Sequence, residues 1–132
     1  MPATPRLFDP ATYDAYGRTL TEKSVGLIHT NEYDKAGNRI AGTYADGRKV
    51  TTTYDALNRP EQILDDNGTA ATTDDLTTRY GYDLAGRAFE LRSPNGVIAR
   101  NSYDGSGRLT HRKLYSSASQ LSAGVPLATF VW

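Results

Sequence analysis

Three stretches of this chain spell nearly the same six letters: "YDAYGR" at 13–18, "YDLAGR" at 82–87 and "YDGSGR" at 103–108. Two looser copies, "YDKAGNR" and "YDALNR", begin at Tyr33 and Tyr54. A catalytic motif is needed once; a structural unit is needed once per repeat. Self-similarity at a fixed period therefore constrains the fold before any other feature does. The Tyr-Asp pairs start at Tyr13, Tyr33, Tyr54, Tyr82 and Tyr103, in steps of 20, 21, 28 and 21 residues. The long step holds "DDNGTAATTDD", a polar loop insertion at about 65–75. Without about seven of its residues the period is restored.

Each copy places a turn-former three residues after its Asp: Gly17, Gly37, Asn58, Gly86 and Gly107 follow Asp14, Asp34, Asp55, Asp83 and Asp104. Asn is the non-glycine residue that best tolerates the left-handed region, so all five slots suit a positive φ. Asp-x-x-Gly reads as a tight turn in which the Asp carboxylate accepts backbone N–H groups two or three residues on. A type I turn closed by a left-handed Gly is a common hairpin connection. Arg18, Arg59, Arg87 and Arg108 follow the slot directly, while the second copy has Asn38 there and Arg39 one later.

A second set of turn signals falls midway in each period: "SVG" at 24–26, "ADG" at 45–47, "DDNG" at 65–68 and "SPNG" at 93–96. Between them lie runs such as "KVTTTYD", "LTTRYGYD" and "VIARNSYD", β-branched or aromatic and of strand length. Each period thus holds two strands and two turns. Asn31, Thr52, Tyr80 and Asn101 stand two before a motif Tyr and share its face, because strand side chains alternate. The opposite face carries Glu32, Thr53, Gly81 and Ser102, so both faces are largely polar. Hydrophobic residues make up 38% of the chain, nine Tyr included, which is thin for a two-layer core. The fold expected is all-β: antiparallel hairpin repeats of about 21 residues in one curved or spiralling sheet. Residues 1–132 form a single segment, with an incomplete last repeat at 109–132. No helix is expected. The best candidate, Ser116–Gly124, is short and serine-rich.

The phased "YDxxG(R)" copies with D-G or N-G turns between them resemble the YD repeats of the Rhs family, over roughly residues 11–115. In that family side-by-side hairpins spiral into a hollow shell. Bacterial Rhs proteins and the C components of insecticidal toxin complexes enclose a C-terminal toxin in it, and teneurins use a similar shell in adhesion. The resemblance implies a bacterial parent, secreted or delivered by a secretion system, and a non-catalytic scaffold role for this chain. Its partners are then the parent's remaining repeats and toxin cargo. About five repeats are too few to close a shell, so a piece of a longer array is expected. Its exposed strand edges are expected to self-associate. The other reading is a Tyr-rich module that binds glycans or a cell-surface partner.

Chemistry finds little purchase. Lys plus Arg and Asp plus Glu both number 15, giving no basic excess for nucleic acid. No apolar run reaches the roughly 20 residues of a membrane span, and "MPATPRLFDP" has no signal-peptide core. The absence of Cys removes disulfides and thiolate chemistry and leaves the compartment open. The recurrent Asp residues read as turn-formers, the Arg residues as partners of acids on the neighbouring hairpin, and the Tyr residues as a stacked ladder. His29 and His111 are too isolated for a metal site, and Asp65, Asp66, Asp74 and Asp75 lack the order of a calcium loop. Neither a catalytic set nor a cofactor site is expected.

Overall fold

The computed structural model describes residues 9–132. Residues 1–8, part of the expected repeat segment, lie outside the described residues. The chain is all-β, with eleven antiparallel strands in one open sheet ordered as in the chain. They are β1 (Asp9–Tyr13), β2 (Thr19–Ser24), β3 (Leu27–Tyr33), β4 (Arg39–Thr43), β5 (Lys49–Tyr54), β6 (Pro60–Asp65), β7 (Leu76–Tyr82), β8 (Ala88–Arg92), β9 (Ile98–Tyr103), β10 (Leu109–Tyr115) and β11 (Ala128–Val131). Among the described residues no helix is long and apolar enough to cross a membrane.

Two compact units divide the chain. The first runs to Arg59 and includes Leu64–Asp75. In it β1 to β5 pair in sequence as hairpins. Ala41 and Gly42 on β4 are buried, yet most neighbouring side chains are only half-covered. The end of β6 returns to β5: the Arg48 guanidinium pairs with the Asp65 carboxylate, and Asp66 exchanges hydrogen bonds with the backbone of Lys49. The polar insertion then runs to Asp75, with the Thr69 hydroxyl donating to Asp74 Oδ1 at 2.9 Å.

The second unit holds Pro60–Ile63 and Leu76–Trp132. Here β7 to β11 pair in sequence around Ile98, Ala99 and Tyr115, the buried apolar residues of this unit. Glu90 on β8 bonds Arg92 on its own strand at 2.6 Å and Arg100 on β9 at 2.8 Å. Those hydrogen bonds overcome its desolvation and hold Glu90 below the usual carboxylate range.

One expectation fails. A short helix, α1 (Ala118–Ala123), forms where none was expected. Ser117 caps its start by accepting from the Gln120 N–H, and Gly124 closes its end at φ 70°. The serine that looked like a liability is the N-cap, and the stretch is one capped turn and a half.

The midway turns also divide into two types. Val25 and Gly26 form a two-residue loop with both φ positive, at 50° and 80°. The Asp-Gly and Asn-Gly at 46–47 and 95–96 belong instead to three-residue loops: Tyr44 and Arg48, like Ser93 and Val97, close around a left-handed Gly.

Candidate functional site

The Tyr-Asp turns are the feature the chain repeats. In each, the Asp N–H donates to the carbonyl four residues on, and the Gly or Asn at the third position donates back to the Asp carbonyl. The third position takes φ between 58° and 94° in all five copies. The carboxylate completes the turn: Asp14 Oδ1 accepts the N–H groups of Tyr16 and Arg18 at 2.8 and 2.9 Å. Asp55, Asp83 and Asp104 repeat that pair of bonds, so the carboxylate reaches two and four residues on, where two or three were expected. The outward loop positions carry Tyr16, Leu57 and Leu84 fully into solvent.

The Arg after the slot pairs with the Asp of its own turn, not with an acid on the neighbouring hairpin. Nε meets Asp Oδ2 at 2.5 Å for Arg18 and at 2.8 Å for Arg59, Arg87 and Arg108. The arrangement is local because the turn folds the i and i+4 side chains together. It leaves the far end of the guanidinium free to reach onward. Arg18 Nη1 donates to the Asp34 carbonyl at 3.2 Å, and Arg87 Nη1 to the Asp104 carbonyl at 3.3 Å. The same two guanidinium groups cover the rings of Tyr33 and Tyr103, each at 4.7 Å. Each of these rings thus lies against an Arg of the preceding repeat, where a Tyr-on-Tyr ladder was expected.

The hydroxyl ends of these Tyr residues also reach back one repeat. Tyr33, Tyr54, Tyr82 and Tyr103 donate to the carbonyls of Thr19, Arg39, Pro60 and Ala88 at 2.7–3.1 Å. The register explains the target. In the hairpins β3–β4, β7–β8 and β9–β10 the pairing skips Ile40, Phe89 and Thr110, each one residue past the acceptor position. A bulge leaves a ladder group without its regular partner, and the Tyr hydroxyl supplies one. Asn31 and Asn101, two before the Tyr on the same face, donate to the same carbonyls of Thr19 and Ala88.

The second and third copies depart from the motif together. Asn38 stands in for Arg and bonds Asp34 Oδ2 at 2.9 Å. Its amide also donates to the Asn58 side chain at 2.9 Å, one repeat on. Asn58 is the one copy without Gly in the slot, and it holds φ 58°. Two apparent irregularities in sequence are one hydrogen-bonded pair in space.

Electrostatically the turns hold their carboxylates ionised. At Asp14 desolvation opposes this, but the Arg18 backbone and guanidinium carry it below the usual range. The Arg59 guanidinium lowers Asp55, the backbone N–H groups of Arg87 and Arg108 lower Asp83 and Asp104, and the Asn38 amide lowers Asp34. A carboxylate held this way is a poor general acid. Among the described residues no group of three His, Cys, Asp or Glu side chains converges on one point.

Residues 33–70 match the family model described as RHS Repeat. No curated protein matches the chain. Among solved structures it is similar to TcdB2-TccC3 without the hypervariable C-terminal region, with 17% identity and a TM-score of 0.44, over 80% of this chain and 8% of that one. It is also similar to TcdB2-TccC3-Cdc42, with 14% identity and a TM-score of 0.38, over 82% of this chain and 9% of that one. The chain spans less than a tenth of the length of either.

Proposed function

We propose that this chain, which carries an Rhs repeat over residues 33–70, is a structural segment of a YD-repeat shell whose parent protein encloses and helps deliver a toxin. The observation that supports this most is the joint between repeats. Arg18 and Arg87 clasp their own Asp, then bind the next repeat through a backbone carbonyl and a Tyr ring. A joint of that kind needs no ligand and can be repeated along an array of any length. The motif Tyr hydroxyls are spent on carbonyls, which argues against their being a ladder for sugars. The segment itself is non-catalytic, with its recurrent acids committed to turns.

Its partners are further repeats of the parent and the enclosed cargo. The outer edge of β11 offers an apolar template for pairing, with Phe130 and Val131 48% and 68% exposed. Light scattering across a wide concentration range tests the edge: association that grows with concentration is expected, and a monodisperse monomer throughout overturns edge pairing. Limited proteolysis of the full parent protein tests the cargo. A segment outside the repeats should resist cleavage until the repeats are unfolded; equal cleavage in the native state rejects enclosure.

A further inference from the structure

The second repeat is irregular at a further place, independent of its turn. Four residues past the Arg slot the other repeats carry Glu22, Ile63, Leu91 and Arg112, and this one carries Gly42. The residue directly after that slot is Thr19, Pro60, Ala88 or Leu109 elsewhere and Arg39 here. The skipped residue Ile40 brings Arg39 and Gly42 to the face that carries Asn31 and Tyr33. A Cβ on Gly42 would lie 1.9 Å from Arg39 Nη2. The guanidinium therefore occupies the space a side chain at 42 would fill.

The second unit supplies an internal comparison. Asn101 stands opposite Arg112 as Asn31 stands opposite Gly42. Both Asn amides donate to the bulge carbonyl, but the Asn101 Oδ1 also accepts Arg112 Nε at 2.9 Å. Among the described residues the Asn31 Oδ1 has no donor, and neither the Arg39 guanidinium nor the Glu22 carboxylate has an ion-pair partner. All three open onto one cavity of about 490 Å³. His29 and Tyr44 complete its wall, with rings edge-on at 5.3 Å.

We propose that this cavity binds an acidic sugar, one hexuronic acid unit. The sugar carboxylate pairs with the Arg39 fork, its hydroxyls donate to the Asn31 Oδ1 and to Glu22, and its C–H face lies against Tyr44. The charges are ordered for this. Arg39 is on β4 and Glu22 on β2, two strand spacings or about 9.5 Å apart, so a ligand anionic at one end and hydroxylated at the other satisfies both. An apolar ligand would strip water from three polar groups and replace none of their hydrogen bonds. The site stands independently of the scaffold reading, which rests on the repeat joints and survives if this site fails.

The test is an NMR titration of the whole chain with sodium glucuronate, with glucose and sodium acetate run in parallel. Saturable millimolar binding of glucuronate is expected, with the largest shifts at the Asn31 side-chain amide, Arg39 Nε and Tyr44. Glucose and acetate should each bind at least about tenfold more weakly. Arg39→Ala should remove glucuronate binding, Gly42→Ala should weaken it by displacing the guanidinium, and Arg108→Ala should leave it unchanged. Arg39 is exposed and outside the Asp–Arg clasps, and unchanged spectral dispersion checks that the variant folds. No saturable shift overturns the proposal, as does retained affinity in Arg39→Ala. Acetate or glucose binding as well as glucuronate overturns it too, because either result removes recognition of an acidic sugar as such.

Discussion

Arg87 and Arg108 make the same contacts within their own turns and differ in what lies beyond. Each is bonded at Nε to its Asp at 2.8 Å. Arg87 also bonds the Asp104 carbonyl and covers the Tyr103 ring, and its side chain is 34% exposed. Arg108 has no motif Tyr one repeat on, and its side chain is 81% exposed. Replacing each with Ala removes the in-turn contact from both, so that term cancels in the comparison. What remains is the joint: about 0.5–1 kcal/mol for the cation–π contact and about 1 kcal/mol for the carbonyl hydrogen bond. Arg87→Ala should therefore be less stable than Arg108→Ala by about 1.5–2 kcal/mol, or roughly 4 °C in Tm for a chain of this size. Urea unfolding of the two variants, read by circular dichroism at constant m-value, measures the difference. Equal losses would mean that Arg serves only its own turn, and the account of the joint would be wrong.

Other outcomes follow from the same geometry. Val25 is a β-branched residue at φ 50°, so Val25→Asn should stabilise the chain by about 1 kcal/mol; a destabilised variant in urea would reject the strain. Gly86→Val forces a β-branched side chain to φ 82° and should cost on the order of 1–3 kcal/mol, and unchanged thermal stability would rule out that turn geometry. Tyr82→Phe should destabilise more than Tyr103→Phe, because Asn101 also serves the Ala88 carbonyl while Tyr80 has no amide to serve that of Pro60; urea midpoints in the reverse order would refute shared bonding. Asp14, Asp34, Asp55, Asp83 and Asp104 all titrate below their ordinary value of 3.8 in the folded state. The unfolded chain takes up protons first, so stability is full above about pH 4 and falls as pH drops through the folded values; a Tm flat across that window would contradict the turn bonding.

Period, hairpins and positive-φ slots were readable from sequence because each rests on a local backbone demand. Only Gly or Asn is comfortable at the third turn position, so a letter reports an angle. The partners of the long side chains were not readable. Phase says that Tyr103 and Arg87 belong to adjacent repeats, but which atoms meet depends on the skipped residue in the register, and Phe89 carries no mark of being skipped. Arg pairing within its own turn has the same origin: i,i+4 proximity is expected of helices, and here a turn produces it. The link between Asn38 and Asn58 was present as two separate deviations, and only their position in space joins them. The helix at 118–123 was missed because its serines were weighed as interior residues, whereas Ser117 stands at the cap.

The Asp–Arg clasp closes within five residues and draws on nothing outside its own loop. A turn of this kind can take shape before either of its strands has found a neighbour, so the costly step of assembly is docking one preformed hairpin onto the last. Growth then proceeds by addition at an end, with contacts about one repeat apart in sequence and little chain entropy lost per step. A chain built this way can lengthen or shorten by whole hairpins without renegotiating the rest, which makes duplication of a single repeat the cheapest route by which such an array changes size.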